Sequence, residues 1–185
     1  MACKSVPVLI LMLSTYRENA AERLALGIPP LPLDANQAKA LTELLGNPPS
    51  GEEQELLHLL IERIPPGVDE AAYVKATWLS AIAQGQSSSP LVSPLEATRL
   101  LGTMVGGYNV AALIELLQHS DAQLAGCAAE GLSRTLLVYD AFNEMMELAT
   151  SNRFAKQVVD SWATAEWFTS KPELADTITV TVFKV

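Results

Sequence analysis

Prolines and glycines divide this 185-residue sequence into short segments that are rich in leucine and alanine. Proline cannot continue a helix because it lacks the backbone N–H, and glycine favours the left-handed conformation in which many helices end. Between the breaks, apolar residues recur at spacings of three and four, which is typical of amphipathic helices. The sequence therefore predicts an all-α fold of short helices. The breaks lie at residues 27–32, 46–49, 65–67, 85–89 and 102–107.

Residues that cap helix N-termini mark where the helices begin. Asp34 with Gln37, and Ser50 with Glu53, have the spacing of a capping box. In that motif each side chain binds a backbone N–H that the first turn of the helix leaves unpaired. Further N-caps are predicted at Ser14, Asp69, Ser93, Asn109, Ser120, Asp140 and either Ser151 or Asn152.

The predicted helix starts are spaced as in repeat proteins. Helix pairs begin near Asp34, Asp69, Asn109 and Asp140, a period of roughly 30–40 residues that matches HEAT and TPR arrays. A single pair cannot bury its apolar face, so neighbouring pairs are expected to stack. Because no sequence consensus recurs, the prediction is a HEAT-like stack of antiparallel helix pairs, an α-α superhelix, rather than one defined repeat.

The end of the chain follows a different pattern. Residues 177–185 alternate with a period of two and are rich in β-branched side chains, which predicts a β-strand. A lone strand is not stable, and no partner strand is visible elsewhere in the sequence. Residues 14–170 are therefore assigned to the helical domain, and residues 171–185 to a linker and the first strand of a truncated next domain.

Charge and cysteine content bear on partners and location. The formal net charge is −9, and the basic residues are scattered, which argues against binding of nucleic acid by this chain alone. Cys3 and Cys127 are too few for a disulfide framework or a metal cluster, as expected for a cytoplasmic protein. The apolar run in residues 1–13 is too short for a membrane span and lacks a signal-peptide cleavage site, so no membrane association is expected.

Two groups of residues resemble parts of catalytic or metal sites. Residues 119–121 are His-Ser-Asp, the residue types of a hydrolase triad, but consecutive side chains diverge, so a capped helix end is the better interpretation. His58 has Glu55 and Glu62 one turn away on either side, yet no third ligand is apparent, so a solvated helix face is expected. No catalytic, cofactor-binding or metal-ligating residue is therefore assigned.

The glycine-rich loop at residues 102–109 joins two predicted helices. It lacks the lysine and the GxGxxG pattern of phosphate-binding loops, so a tight turn between helices is the first interpretation. Glycines also allow another backbone to approach closely, and aromatic residues near a domain boundary can anchor a neighbouring domain. A candidate docking surface is therefore formed by Met104, Gly106, Gly107, Tyr108, Asn109, Trp167 and Phe168.

Several blocks of the sequence resemble the N-terminal domain of the aconitase B family. They include TYRENAAERLALGIPPLPLDANQ (15–37), LLGTMVGGYNVAALIELL (100–117) and AKQVVDSWATAEWF (155–168), together with all of residues 44–83. The terminal LADTITVTVFKV (174–185) is similar to the family's entry into its next domain, the swivel domain. Residues 1–13 are interpreted as an N-terminal extension that the family does not share.

The resemblance implies a function for a longer parent enzyme. Members of the family are lyases that interconvert citrate and isocitrate through cis-aconitate in the tricarboxylic acid cycle, and they also dehydrate 2-methylisocitrate. They use a [4Fe-4S] cluster, held by three cysteines downstream of this domain. No catalytic motif of the family maps onto residues 1–185, so the chain is expected to hold no cofactor, to be inactive alone and to serve as an accessory, protein-interaction domain.

The resemblance also implies partners, first of all the missing downstream aconitase domains. A second copy of the chain or another metabolic enzyme are further partners to consider. Two other functions stay open from the sequence, an independent helical-repeat binding module and an RNA-binding regulator. A salt-sensitive shift of RNA by the isolated chain would favour the regulator.

Overall fold

The computed structural model describes the backbone of residues 6–135, 138 and 141–165, and the side chains from residue 11 onward. Within this part the chain forms nine α-helices and no β-strand, which confirms the all-α prediction. The strand predicted at residues 177–185 lies outside the described residues. The helices are α1 (Val6–Ala25), α2 (Ala35–Gly46), α3 (Glu53–Glu62), α4 (Glu70–Ala83), α5 (Pro94–Leu101), α6 (Val110–Leu116), α7 (Ala122–Ser133), α8 (Phe142–Leu148) and α9 (Arg153–Thr164).

Among the described helices, none combines the length and the apolar character that crossing a membrane requires.

Four of the predicted N-caps are confirmed. The Asp34 carboxylate accepts hydrogen bonds from two amides of α2, and the Gln37 side chain accepts one from the Asp34 amide, which completes the capping box. Asp69, Ser93 and Asn152 cap α4, α5 and α9, because each side chain accepts a hydrogen bond from an amide in the first turn of its helix. These caps satisfy backbone donors that would otherwise lack a partner.

The first helix begins at Val6, so the N-cap predicted at Ser14 is wrong. Ser14 lies inside α1, and its hydroxyl donates to the carbonyl oxygen of Leu11. Because the helix continues upstream through the apolar run, the amides that follow Ser14 already have partners within the helix. The N-cap predicted at Asp140 lies outside the described residues.

Two further caps differ from the prediction by one or more residues. The capping box expected for Ser50 and Glu53 is not formed: α3 begins without a side-chain cap, and the Glu53 carboxylate accepts a hydrogen bond from the Gly51 amide instead. The cap of α7 is Asp121 rather than Ser120, since the Asp121 side chain accepts a hydrogen bond from the second amide of the helix. Ser120 and Asp121 are both suitable cap residues for α7, and spacing alone does not decide between them.

The helices contact one another in series. In this series α1 contacts α2, α2 contacts α4, α4 contacts α5, α5 contacts α7, and α7 contacts α9. The other three helices pack beside it: α3 on α2, α6 on α7 and α8 on α9. This order agrees with a stack of helices, although the assignment to HEAT-like pairs stays a prediction. Aliphatic side chains fill the contacts between helices; fully buried ones include Leu41, Leu45, Leu56, Leu60, Leu79, Leu101, Leu113 and Leu132.

Three aliphatic residues of α4 lie in the core, whereas one of its aromatic residues does not. Ala76, Leu79 and Ile82 are buried, and Trp78 is half-buried. Tyr73, by contrast, is 56% exposed.

Two glycines allow α7 to cross the end of α5 at close range. A Cβ atom placed on Gly131 would lie 2.8 Å from the Cα atom of Gly102, and one placed on Gly102 would lie 2.9 Å from the Cα atom of Gly131. Such distances are shorter than a carbon–carbon contact allows, so the two backbones would have to separate. Glycine is therefore required at both positions, because the crossing leaves no room for a Cβ atom.

We predict that Gly131→Ala destabilises the protein by about 1–3 kcal/mol, the usual cost of overpacking a close-packed interior. The loss is expected even though alanine favours helix over glycine by about 1 kcal/mol. Gly126→Ala, in the same helix, is the control, because its Cβ atom would meet only the Phe154 ring at an ordinary 3.7 Å. Urea unfolding of both variants tests the prediction, and equal stabilisation by the two substitutions would contradict it.

Candidate docking surface

The glycine-rich loop at residues 102–109 rests on the turn that joins α3 to α4. The Val105 amide donates a hydrogen bond of 2.9 Å to the Pro66 carbonyl oxygen. Next to it, Gly106 lies directly against the backbone of Gly67, since a Cβ atom on Gly106 would be only 1.9 Å from the Gly67 carbonyl oxygen. The close backbone approach that the glycines predicted is thus observed, but within the chain itself.

Tyr108 ties the same two segments together through its side chain. Its hydroxyl donates a hydrogen bond of 2.8 Å to the Val68 carbonyl oxygen. Its ring meets the ring of Tyr73 edge to face, with the centroids 5.3 Å apart and an interplanar angle of 75°. This geometry is the favoured one for aromatic pairs, and it explains why Tyr73 is held at the surface rather than in the core.

Two of the residues predicted for docking point inward instead. Met104 is only 2% exposed, and Asn109 is fully buried. Asn109 occupies the N-cap position of α6 as predicted, but its side chain makes no capping bond. Its side-chain amide donates instead to the carbonyl oxygens of Leu101 and Met104. These two side chains hold the loop in shape and do not contribute to its outer surface.

What the loop and the turn present outward is a cluster of apolar side chains that we call the tyrosine patch, formed by Val68, Tyr73, Val105 and Tyr108. Their exposed fractions are 71%, 56%, 63% and 40%. The sequence analysis pointed to the loop, but it missed Val68 and Tyr73, which lie far upstream of the loop in the sequence, after the break at residues 65–67. Trp167 and Phe168, the other predicted docking residues, lie outside the described residues.

A buried lysine lies between α3 and α4. The Lys75 side chain is 2% exposed, and its Nζ atom is 3.5 Å from the carbonyl oxygens of both Ile61 and Ile64 at the end of α3. Burial lowers the pKa of Lys75 from 10.5 to about 8, and the Glu62 carboxylate opposes that shift. A cation near carbonyls at a helix C-terminus suits the helix dipole, and here it links the two helices.

The residues that resembled catalytic or metal sites have structural roles. In residues 119–121, the Asp121 amide donates to the Nδ1 atom of His119, and the Asp121 carboxylate caps α7. His58 is exposed on α3, where Glu55 binds Arg17 of α1 together with Glu52. In the part of the chain that the structure describes, no group of three His, Cys, Asp or Glu residues could hold a metal ion.

A shallow pocket lies beside the crossing of α5 and α7. Its lining includes Cys127, Arg99 and Arg134. Burial raises the pKa of the Cys127 thiol, so this cysteine is less reactive than an exposed one. Both arginines are already ion-paired, Arg99 with Glu96 and Arg134 with Glu130.

The described residues form an all-α domain of serially packed helices, and the tyrosine patch is exposed on its surface. The chain belongs to the family described as "Aconitate B N-terminal domain", whose sequence model matches residues 15–168. The relatives that it matches are proteins named "Aconitate hydratase B". That of Synechocystis sp. is 58% identical over 174 residues, which is 94% of this chain and 20% of the relative.

Two enterobacterial relatives are equally similar. The protein of Escherichia coli is 59% identical and that of Salmonella typhimurium 61% identical, each over 175 residues, with 94% of this chain and 20% of the relative covered. This chain therefore spans about a fifth of the length of the relatives it matches. The family resemblance stated from the sequence is confirmed.

We predict that the stability contributed at Lys75 depends on pH. Because the pKa is about 8 in the folded state and 10.5 otherwise, the unfolded chain binds more protons between these values, so stability rises with pH across that window. Lys75→Met should remove this rise, about 2 kcal/mol between pH 8 and pH 10.5, while Lys39→Met at an exposed position of α2 should retain it. Chemical unfolding across this range provides the measurement, and parallel curves for the wild type and Lys75→Met would refute the assignment.

Proposed function

We propose that this chain is the N-terminal accessory domain of an aconitate hydratase, whose remaining four fifths perform the chemistry. The observation that carries the proposal is the identity of 58–61% between almost the whole chain and one fifth of proteins named aconitate hydratase B. The reaction of the whole enzyme would be the interconversion of citrate and isocitrate through cis-aconitate in the tricarboxylic acid cycle, with dehydration of 2-methylisocitrate as a second activity. The location expected for it is the cytoplasm.

The iron–sulfur cluster of such an enzyme does not fit the residues of this chain. Clusters of this type are held by several cysteine thiolates, and the sequence has two cysteines, Cys3 and Cys127. Cys127 is half-buried beside two arginines that are paired with glutamates, and no other cysteine lies among the described residues. The cluster and the substrate-binding groups therefore belong to the rest of the enzyme in this proposal.

The role that remains for the domain is to position neighbouring domains of the enzyme. Serially packed helices form an extended surface, and a rigid surface can orient or enclose neighbouring domains. The contacts between residues 65–68 and 102–109 support this role, because they hold the outward face of the loop in one conformation. The downstream domains are the first partner that we expect, while the net charge of −9 disfavours nucleic acid.

A chimera tests the proposal. In the aconitate hydratase B of Escherichia coli, the stretch that matches this chain is replaced by residues 12–185, and the same enzyme without that stretch is the control. Because a domain that is 59% identical over 175 residues should preserve most contacts, we expect the chimera to form cis-aconitate at a rate close to that of the parent. The deletion control should be impaired. A chimera that folds and carries its cluster but has no activity would contradict the proposal.

The chain by itself gives a complementary test. Adding citrate or isocitrate to the purified 185-residue protein should produce no increase in the ultraviolet absorbance of cis-aconitate. Turnover that survives treatment with a chelator and further purification would mean that the chain contains an active site of its own, which the proposal denies.

A further inference from the structure

The tyrosine patch has the properties of a protein-binding surface. Its four side chains, Val68, Tyr73, Val105 and Tyr108, are all at least 40% exposed although each is apolar or aromatic. Single exposed apolar residues are common, but a contiguous cluster rimmed by polar groups is typical of interaction sites. The cluster comes from two segments that backbone and side-chain hydrogen bonds join, so the fold holds these side chains next to one another.

The patch is also rigid before any partner binds. Tyr108 is fixed at its hydroxyl by Val68 and at its ring by Tyr73, and the Val105 backbone is fixed by Pro66. Fixed aromatic side chains lose little conformational entropy on binding, which is why tyrosines are frequent at the centres of interfaces. A partner could therefore bury these side chains without ordering them first.

The exposed charged residues that adjoin the patch in sequence are acidic. Asp69 follows Val68 directly, and Glu70 lies one helical turn before Tyr73 on α4; both are exposed. None of the ion pairs within the described part of the chain includes either of these two carboxylates.

Basic residues are scarce across the whole region that carries the patch. Between residues 64 and 133 the sequence has two cations, Lys75 and Arg99. Lys75 is buried against the end of α3, and Arg99 is paired with Glu96. The Asp69 carboxylate caps α4, but no cationic side chain of the described residues pairs with Asp69 or Glu70, and this acidic border favours a partner that brings positive charge.

We propose that the tyrosine patch binds a polypeptide segment that carries lysine or arginine beside apolar side chains. The apolar side chains would cover Val68 and Val105, and the cation would lie over the Tyr108 or Tyr73 ring, close to Glu70 and Asp69. A second copy of this chain is a poorer occupant, because two chains of net charge −9 repel each other. The inference does not depend on the reaction assigned to the parent enzyme.

Selection from a random peptide library displayed on phage tests the proposal with the purified 185-residue protein. Enriched peptides should contain lysine or arginine within two residues of an aliphatic or aromatic residue. Their affinity, measured by fluorescence anisotropy with synthetic copies, should fall as salt is raised, because the charged rim is exposed to solvent. Enrichment of acidic or uncharged peptides, or no enrichment at all, would overturn the proposal.

Matched variants locate the binding site. The double variant Val68→Ser, Val105→Ser should weaken binding by at least about tenfold, since two apolar contacts are lost. Its control is Leu24→Ser, Leu26→Ser at the end of α1, where the side chains are 62% and 76% exposed. Glu70→Gln should weaken binding by about threefold, as expected for one solvent-exposed charge pair, and Glu147→Gln on α8 should have no effect.

The variants also decide between occupants. Equal affinity of the wild type and the Val68, Val105 double variant would show that the peptides bind elsewhere and would overturn the proposal. Light scattering of the chain alone completes the test. A concentration-dependent dimer that the double variant abolishes would assign the patch to a second copy of the chain, which would also overturn it.

Discussion

The contact between Gly106 and the carbonyl group of Gly67 is the constraint on which the organisation of this surface depends. The turn at residues 65–68 joins α3 to α4, and the loop at residues 102–109 joins α5 to α6, so one contact between two connections fixes two pairs of helices. Any side chain on Gly106 would separate them. The hydrogen bond from Val105 to Pro66 and the one from Tyr108 to Val68 follow from this approach, and so does the placement of the tyrosine patch.

The helices themselves are too short to be stable without such contacts. Most have between 7 and 14 residues, and isolated helices of that length are marginal in water. The free energy that holds them comes from leucine and alanine side chains buried between neighbours, and from glycine at the α5–α7 crossing, where the backbones touch.

Much of the fold could be predicted from local chemistry, whereas the contacts between residues distant in sequence could not be predicted. The helices that begin after Asp34, Asp69, Ser93 and Asn152 were identified because each cap acts on amides only two or three residues away. The N-cap prediction at Ser14 was wrong because a cap requires a free helix end, and the apolar run upstream of Ser14 is itself helical. The pairing of Tyr73 with Tyr108, the burial of Lys75 and the inward position of Asn109 depend on residues that meet only after the helices have stacked. The glycine-rich loop was rightly predicted to allow close backbone approach, but the backbone that it approaches is that of Gly67 in the same chain.

Hydrogen exchange at the Val105 amide tests the central claim most directly, namely that the loop at residues 102–109 belongs to the rigid framework of the domain. The account predicts that this amide exchanges about as slowly as core amides of α4 such as that of Leu79, because breaking its bond to Pro66 requires the two connections to separate. Exchange as rapid as that of Ser88 in the exposed turn after α4 would show that the loop moves independently. In that case the patch would not be preformed, and the central claim would be contradicted.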